Sequence, residues 1–349
     1  MPTLPQPRGP LSTALFLHWS GGADLADHPA LADLDRLDPL ADDDLQLALW
    51  CCYAPHYRGF DGLPADAEWD PETIAFRNQL EARFEAALRD EHRPEALPAD
   101  PVVALRVVAT WAGPPLARTI EEEGERFHLE EFAIHRSAYQ LKEADGHTFG
   151  LPRLTGAGRA AMVEIQADEY GGGRPGEAHS ELFAAAMDEL GLRSDFGHYV
   201  DRLPGVTLAT DNLVSLFGLN RRLRGALVGH LALFEVCSVT PMSRYLAAAR
   251  RVGGLPALER FYAVHVEADV HHARLALDGM VAPMAAAEPE LAADIVFGAV
   301  ALAHVEKRFA RHVLQAWDRN ESSLLPVPGP VDLRVPVPRE PLATAAPVG

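Results

Sequence analysis

Three side chains able to bind a metal, His265, Asp269 and His272, recur at i, i+4 and i+7 in FYAVHVEADVHHAR. On an α-helix at about 100° per residue they fall within a wedge of about 60°. Leu258, Phe261, Tyr262, Ala268 and Ala276 share that side. The opposite side carries Glu259, Arg260, Glu267, His271, Arg274 and Asp278, an ordinary solvated face. An ionised carboxylate with two imidazoles on a buried face costs on the order of several kcal/mol per uncompensated charge. A divalent metal compensates that cost directly. One buried histidine reads more simply as a core residue; three liganding groups on one wedge point to a metal site.

Further donors are sought on faces that could meet this stretch. Glu169 shares a helical face with Met162 and Ile165 and stands just before Gly171-Gly172-Gly173, a break that could also be a flexible point. His179 lies on a stripe with Leu182, Phe183, Ala186 and Leu190 and so points into a core. Taken singly, Glu169 reads equally well as a helix-end salt bridge and His179 as a core residue. Glu235, in ALVGHLALFEVCSV, has only Val228, Leu231 and Ala232 within two turns on its face. A carboxylate so placed must be protonated, paired across the core or bound to metal. Glu143 shares a face with Phe132, Arg136 and Tyr139, and periodicity alone leaves it a solvated residue near a helix end. For His128, His135, His147, His230, His304 and His312 the default is a surface role or support behind other residues.

Helices must position these groups. The pattern predicts helices over 42–57, 70–89, 102–111, 115–143, 158–170, 177–190, 212–239, 243–252, 255–279 and 288–317. Asp70-Pro71 starts the second of these, as an N-cap followed by proline. Thr240-Pro241 ends the helix from 212, and Asp42, Asp43 and Asp44 suit a helix start better than a metal site. No strand pattern or internal repeat is present, so the fold class is all-α. Residues 1 to about 30 are rich in Pro and Gly and read as weakly ordered. Seven prolines fall between Pro326 and the C-terminus, which predicts a disordered tail over 320–349. The chain divides into an N-terminal helical extension (1–105), a core domain (106–319) and that tail.

With 31 basic and 50 acidic residues among 349, the net charge of −19 argues against nucleic acid or anionic membrane as a partner. No apolar run reads as long enough to span a bilayer, and no signal peptide is evident. Cys51, Cys52 and Cys237 are odd in number, and the vicinal pair in LALWCCY reads as buried small side chains. A reducing, cytoplasmic setting fits this cysteine usage.

The order Glu143, Glu169, His179, then His265-x-x-x-Asp269-x-x-His272 resembles the ligand pattern of the haem-oxygenase-like diiron oxidases and oxygenases. LKEADGHTFGLPRL, VEIQADEYGGG and GHLALFEVCS are similar to proteins called iron-containing redox enzymes. The resemblance covers about 124–311. It implies a bundle of about seven core helices with a metal site between three of them. It also implies two iron ions, O2 as co-substrate and a small-molecule substrate, and it is compatible with an external electron donor and a homodimer. Glu235 matches the extra carboxylate of members that oxygenate nitrogen, so the resemblance assigns it both a metal-binding and a catalytic role. Alternatives are desaturation or oxidative C–C cleavage on the same scaffold, and an iron-binding protein without an organic substrate.

Overall fold

A computed structural model describes residues 2–22, 24–25, 28–92 and 97–327, which are helical with no strand among the described residues. Helix α1 (Pro10–Trp19) lies inside the stretch expected to be weakly ordered. Its Leu11, Ala14, Leu15 and Phe16 are buried in the common apolar core, which outweighs the flanking Pro and Gly. Helices α2 (Asp43–Tyr53), α3 (Pro71–Glu91) and α4 (Pro101–Val108) follow. The carboxylates of Asp42, Asp70 and Asp100 accept backbone N–H groups at their respective starts.

The acidic triplet ties three helices together. Asp42 caps α2, and Asp44 accepts from Leu11 N at 2.7 Å and Ser12 N at 2.9 Å. Asp43 accepts from Gly205 N at 2.5 Å, where a later helix begins. The N-terminal helices therefore share one core with the rest of the chain.

The region predicted as one helix from 115 to 143 is two, α5 (Leu116–Glu123) and α6 (Arg126–Gln140). They part at Gly124, where a Cβ would press on the Ile120 backbone. Glu143 thus sits beyond the last helical turn, not on a helical face. Next come α7 (Asp145–Thr148), α8 (Gly156–Glu169) and α9 (His179–Glu189). The long helix predicted from 212 to 239 is α10 (Gly205–Leu219) and α11 (Arg224–Val252), separated by the extended Asn220. Pro241 does not end α11. Met242, Tyr245, Leu246, Ala248 and Ala249 are buried beyond it, and their burial offsets the roughly 3 kcal/mol that an interior proline costs.

Helix α12 (Pro256–Arg274) runs into a π-helical turn, Leu275–Val281, then α13 (Ala282–Ala287) and α14 (Ala292–Trp317). Helix α11 packs between α12 and α14. Where α11 and α14 cross, a Cβ at Gly229 would overlap the Ile295 carbonyl and one at Gly298 the Ala226 carbonyl. Glycine is required at both points. Residues 221–252 also contain an 18-residue window of mean hydropathy 1.3, 67% buried, which is long and apolar enough to cross a membrane by composition. That corrects the expectation of no such run; its burial between α12 and α14 is what a core helix requires.

Residues 321–327 fold back on the bundle, where Leu325 N donates to the Arg202 carbonyl and Ser323 is buried. The rest of the predicted disordered tail, 328–349, lies outside the described residues.

Candidate metal centre

Glycine makes the first juxtaposition. Gly171, Gly172 and Gly173 all adopt positive φ (64°, 61° and 73°), three left-handed residues in a row. Only glycine does this without steric cost. The chain reverses within that turn. It brings His179, the first residue of α9, against Glu169, the last of α8, with Nδ1 2.8 Å from Oε2.

Helix α12 is then locked to α9. The Glu189 carboxylate accepts from Ala257 N and Leu258 N at 3.0–3.1 Å, and Arg260 grips Glu177 at 2.7 and 2.8 Å. This register sets His265 beside His179, their ring centroids 4.3 Å apart. Glu235 approaches from α11, with Oε2 3.4 Å from His272 Nδ1.

Glu143 arrives differently. Ala144 after it has φ 76° and ψ −35°, a conformation that costs an L-residue on the order of 1–3 kcal/mol. Neighbours hold it there. Lys142 donates to Asp211 at 2.5 Å, Asp211 accepts from Trp50 Nε1 at 2.9 Å, and the Lys142 ammonium lies 4.4 Å from the Tyr57 ring centroid. Arg58 donates to the Leu141 carbonyl at 2.8 Å. Trp50, Tyr57 and Arg58 all belong to the N-terminal region.

All seven predicted residues are buried and meet in two groups: Glu143, Glu169, His179 and His265, and Glu169, Glu235, Asp269 and His272. Within each group the donor atoms lie within 4.8 Å of one another, and Glu169 belongs to both. Two bonds of about 2.0–2.2 Å to a common ion would span much of that separation. The groups come from five elements, the α6–α7 turn, α8, α9, α11 and α12, and not from three helices as the resemblance implied.

The donor set fits iron. Glu143 Oε2, His265 Nε2, Asp269 Oδ2 and His272 Nδ1 are all buried without a hydrogen bond. Such groups are rare in folded proteins unless something else satisfies them. The imidazole tautomers agree. His265 Nδ1 donates to the Phe261 carbonyl at 2.8 Å, and His272 Nε2 meets Asp168 Oδ2 at 3.1 Å. Each leaves the other ring nitrogen facing the group, as supported metal-binding histidines do. Mixed imidazole and carboxylate donors suit iron or manganese better than structural zinc.

Without an ion, these groups neutralise one another. Burial works against charge on His265 and His272, but Glu143, Glu169 and Asp269 raise the first to about 10, and Glu235, Asp168 and Glu169 raise the second to about 9. Burial opposes charge on Glu169 as well, yet His179, His265 and His272 bring it down to about 2. Glu235 goes the other way, to about 7, through burial and the nearby Glu169 and Asp269 against the pull of His272.

Sequence reasoning missed several neighbours. A narrow cavity of about 20 Å³ beside the donors is also lined by Tyr139, His147, Gln166 and Ser238. His147 Nε2 lies 2.9 Å from His230 Nδ1, and burial lowers both imidazoles. Neither sits on a stripe with other donors, so no periodic signal marks them. Asp168 is half exposed, and its position beside Glu169 was the only hint of its contact with His272.

The fold and these donors define a protein of helical, haem-oxygenase-like architecture with a donor set suited to iron. The chain belongs to the family of iron-containing redox enzymes, whose model matches residues 130–307. It is similar to a nitrosourea synthase from Streptomyces achromogenes subsp. streptozoticus, 27% identical over 144 residues. That stretch is 41% of this chain but only 31% of the relative's length.

Proposed function

We propose that this protein is a non-haem diiron oxygenase that uses O2 to oxidise nitrogen in a small amine or amino-acid-derived substrate. The observation that carries this is the pair of four-donor groups joined at Glu169. Glu143, Glu169, Glu235 and Asp269 together bring four negative charges, which two divalent ions balance once the three imidazoles are neutral. Bound there, two ferrous ions would supply electrons to O2, and an external donor would restore them between turnovers. The chain's own part is positional. The Phe261 carbonyl and Asp168 hold protons on the outer nitrogens of His265 and His272, keeping the inner lone pairs free. Tyr139, Leu231 and Phe234 limit water at the cavity.

Two observations favour nitrogen as the target. Glu235 is a seventh donor on an otherwise apolar stretch of α11, and the relative is named for making a nitrosourea, a compound with oxidised nitrogen. A second reading, desaturation or C–C cleavage, is favoured by the apolar walls of a neighbouring chamber. Anaerobic titration with Fe(II), followed by mixing with O2, tests the proposal. Two irons per chain and rapid O2 uptake are expected, with hydroxylated or nitroso products from an amine substrate. One iron per chain would end the dinuclear reading, and two irons without O2 uptake would leave an iron-binding protein.

A further inference from the structure

A chamber of about 530 Å³ lies beside the candidate metal centre, between α4, α5, α6, α11, α12 and α14. This is ample for a small organic molecule. Its walls are mainly apolar and aromatic, with Phe132, Phe234, Met242, Tyr245 and Tyr262 among them. Tyr139, Phe234 and Ser238 line both this chamber and the narrow cavity at the seven donors. The rings of Tyr139 and Phe234, 5.4 Å apart, form the partition between the two spaces.

Charge on the chamber wall runs against the protein as a whole. Arg136 is neutralised by two hydrogen bonds to Glu306 at 2.8 and 2.7 Å and is sandwiched against Phe309 and Phe132. His304 is paired with Glu91 at 2.9 Å. Lys307 is exposed and has no ion pair among the described residues. The chain has only two lysines, and the other, Lys142, is buried against Asp211. A single unpaired cation at an apolar chamber, in a protein of net charge −19, is a selective feature for an anion.

We propose that the chamber binds a monocarboxylate with an apolar or aromatic body, its carboxylate against Lys307 and its far end, where a substrate would carry the nitrogen, at the Tyr139–Phe234 partition. That this molecule is the substrate rests on the oxygenase reading above; the ligand class and its orientation do not.

Two probes of matched size and opposite charge, 4-phenylbutyrate and 4-phenylbutylamine, test the ligand class by calorimetry on metal-free full-length protein. The acid should bind about tenfold more tightly than the amine. Lys307→Gln should bring the two within about twofold of each other, and Lys307→Arg should restore the preference. Ala303→Trp, which fills the chamber from α14, should weaken both without changing the helical circular dichroism. Lys307 is exposed, so its variants report even if Ala303→Trp fails to fold. Equal binding of the two probes, no binding, or a preference that survives Lys307→Gln would overturn the assignment.

Orientation has its own measurement. With Mn(II) added to wild-type protein, proton NMR should show the phenyl protons broadened more than the methylene beside the carboxylate. The reverse order would overturn the placement. Fe(II) stoichiometry on the same preparation keeps the tests apart, because a chain that binds the acid selectively but takes up no iron would retain this site and lose the oxygenase.

Discussion

Two regions deliver donors to the same place by opposite means. Helix α12 supplies His265, Asp269 and His272 from regular turns, aligned by the 3.6-residue repeat and by the Glu189 cap at its start. The Glu143 segment supplies one carboxylate from a turn with a left-handed alanine, fixed by the Trp50–Asp211–Lys142 chain and Arg58. In the first region local geometry positions the donors. In the second, tertiary contacts from Arg58, 83 residues before Leu141, and from Asp211, 69 residues after Lys142, must maintain a conformation that the backbone alone disfavours. The two four-residue groups should therefore respond differently to damage.

Glu169 is the point where that difference vanishes, and the largest effect is expected there. Glu169→Ala should abolish binding of both irons, whereas Glu143→Ala and Asp269→Ala should each leave about one iron per chain in an anaerobic titration. If Glu169→Ala still binds one iron tightly, the groups do not share it. A smaller effect should come from the clamp. Asp211→Ala leaves the buried Lys142 charge unpaired, at a cost of about 3–5 kcal/mol, and thermal unfolding should register it. The double variant Lys142→Met with Asp211→Leu should recover most of that stability. Iron affinity at the Glu143 side should nevertheless stay about tenfold weaker, while the Asp269–His272 side is unchanged. Full recovery of both would make the clamp purely a matter of stability.

This contrast also explains what the sequence could reveal. The α12 donors were legible because helical periodicity puts buried polar groups on one recognisable stripe. Glu169 and His179 were legible as types, but their meeting depends on the three positive-φ glycines, which composition presents only as a break. Glu143 was found through family resemblance alone. Its predicted face vanished because α6 ends at Gln140. Helix α1 was hidden by its prolines and glycines, and α11 by Pro241, since in both places burial decides and burial is not local. The acidic triplet shows the opposite outcome: its helix-end role was readable, although the three different helices it serves were not.

Titration should separate the metal-free and metal-bound forms. His265 and His272, raised to about 10 and about 9, contribute stability that is fully present below their unfolded values near 6.5. It is lost as pH rises through 9 and 10. The midpoint of thermal unfolding of metal-free protein should therefore fall between pH 7 and pH 10. Metal binding needs the same imidazoles neutral, so iron affinity should rise over that interval and binding at pH 7 should release protons. Calorimetry in buffers of different ionisation enthalpy counts them. A metal-free midpoint that is flat to pH 10 would mean that these histidines are not held charged by the carboxylates.

The smallest effect on binding is expected at Glu235, and it bears on the choice of reaction. Glu235 is buried on α11, and among the described residues its one basic neighbour within 4 Å is His272, at 3.4 Å. It is the one donor outside both the Glu143 segment and the α8, α9 and α12 assembly. A carboxylate kept there at a desolvation cost, on a helix that brings no other donor, suits a residue that engages when the charge of the site increases on oxidation. Glu235→Ala should then take up Fe(II) nearly as the wild type does. The coloured species formed on mixing with O2 should decay faster, as stopped-flow absorbance would show directly. If its lifetime is unchanged, Glu235 has no part in the oxidised state. The case for attack on nitrogen would then rest on the relative's name alone, and desaturation or C–C cleavage in the apolar chamber would become the better account.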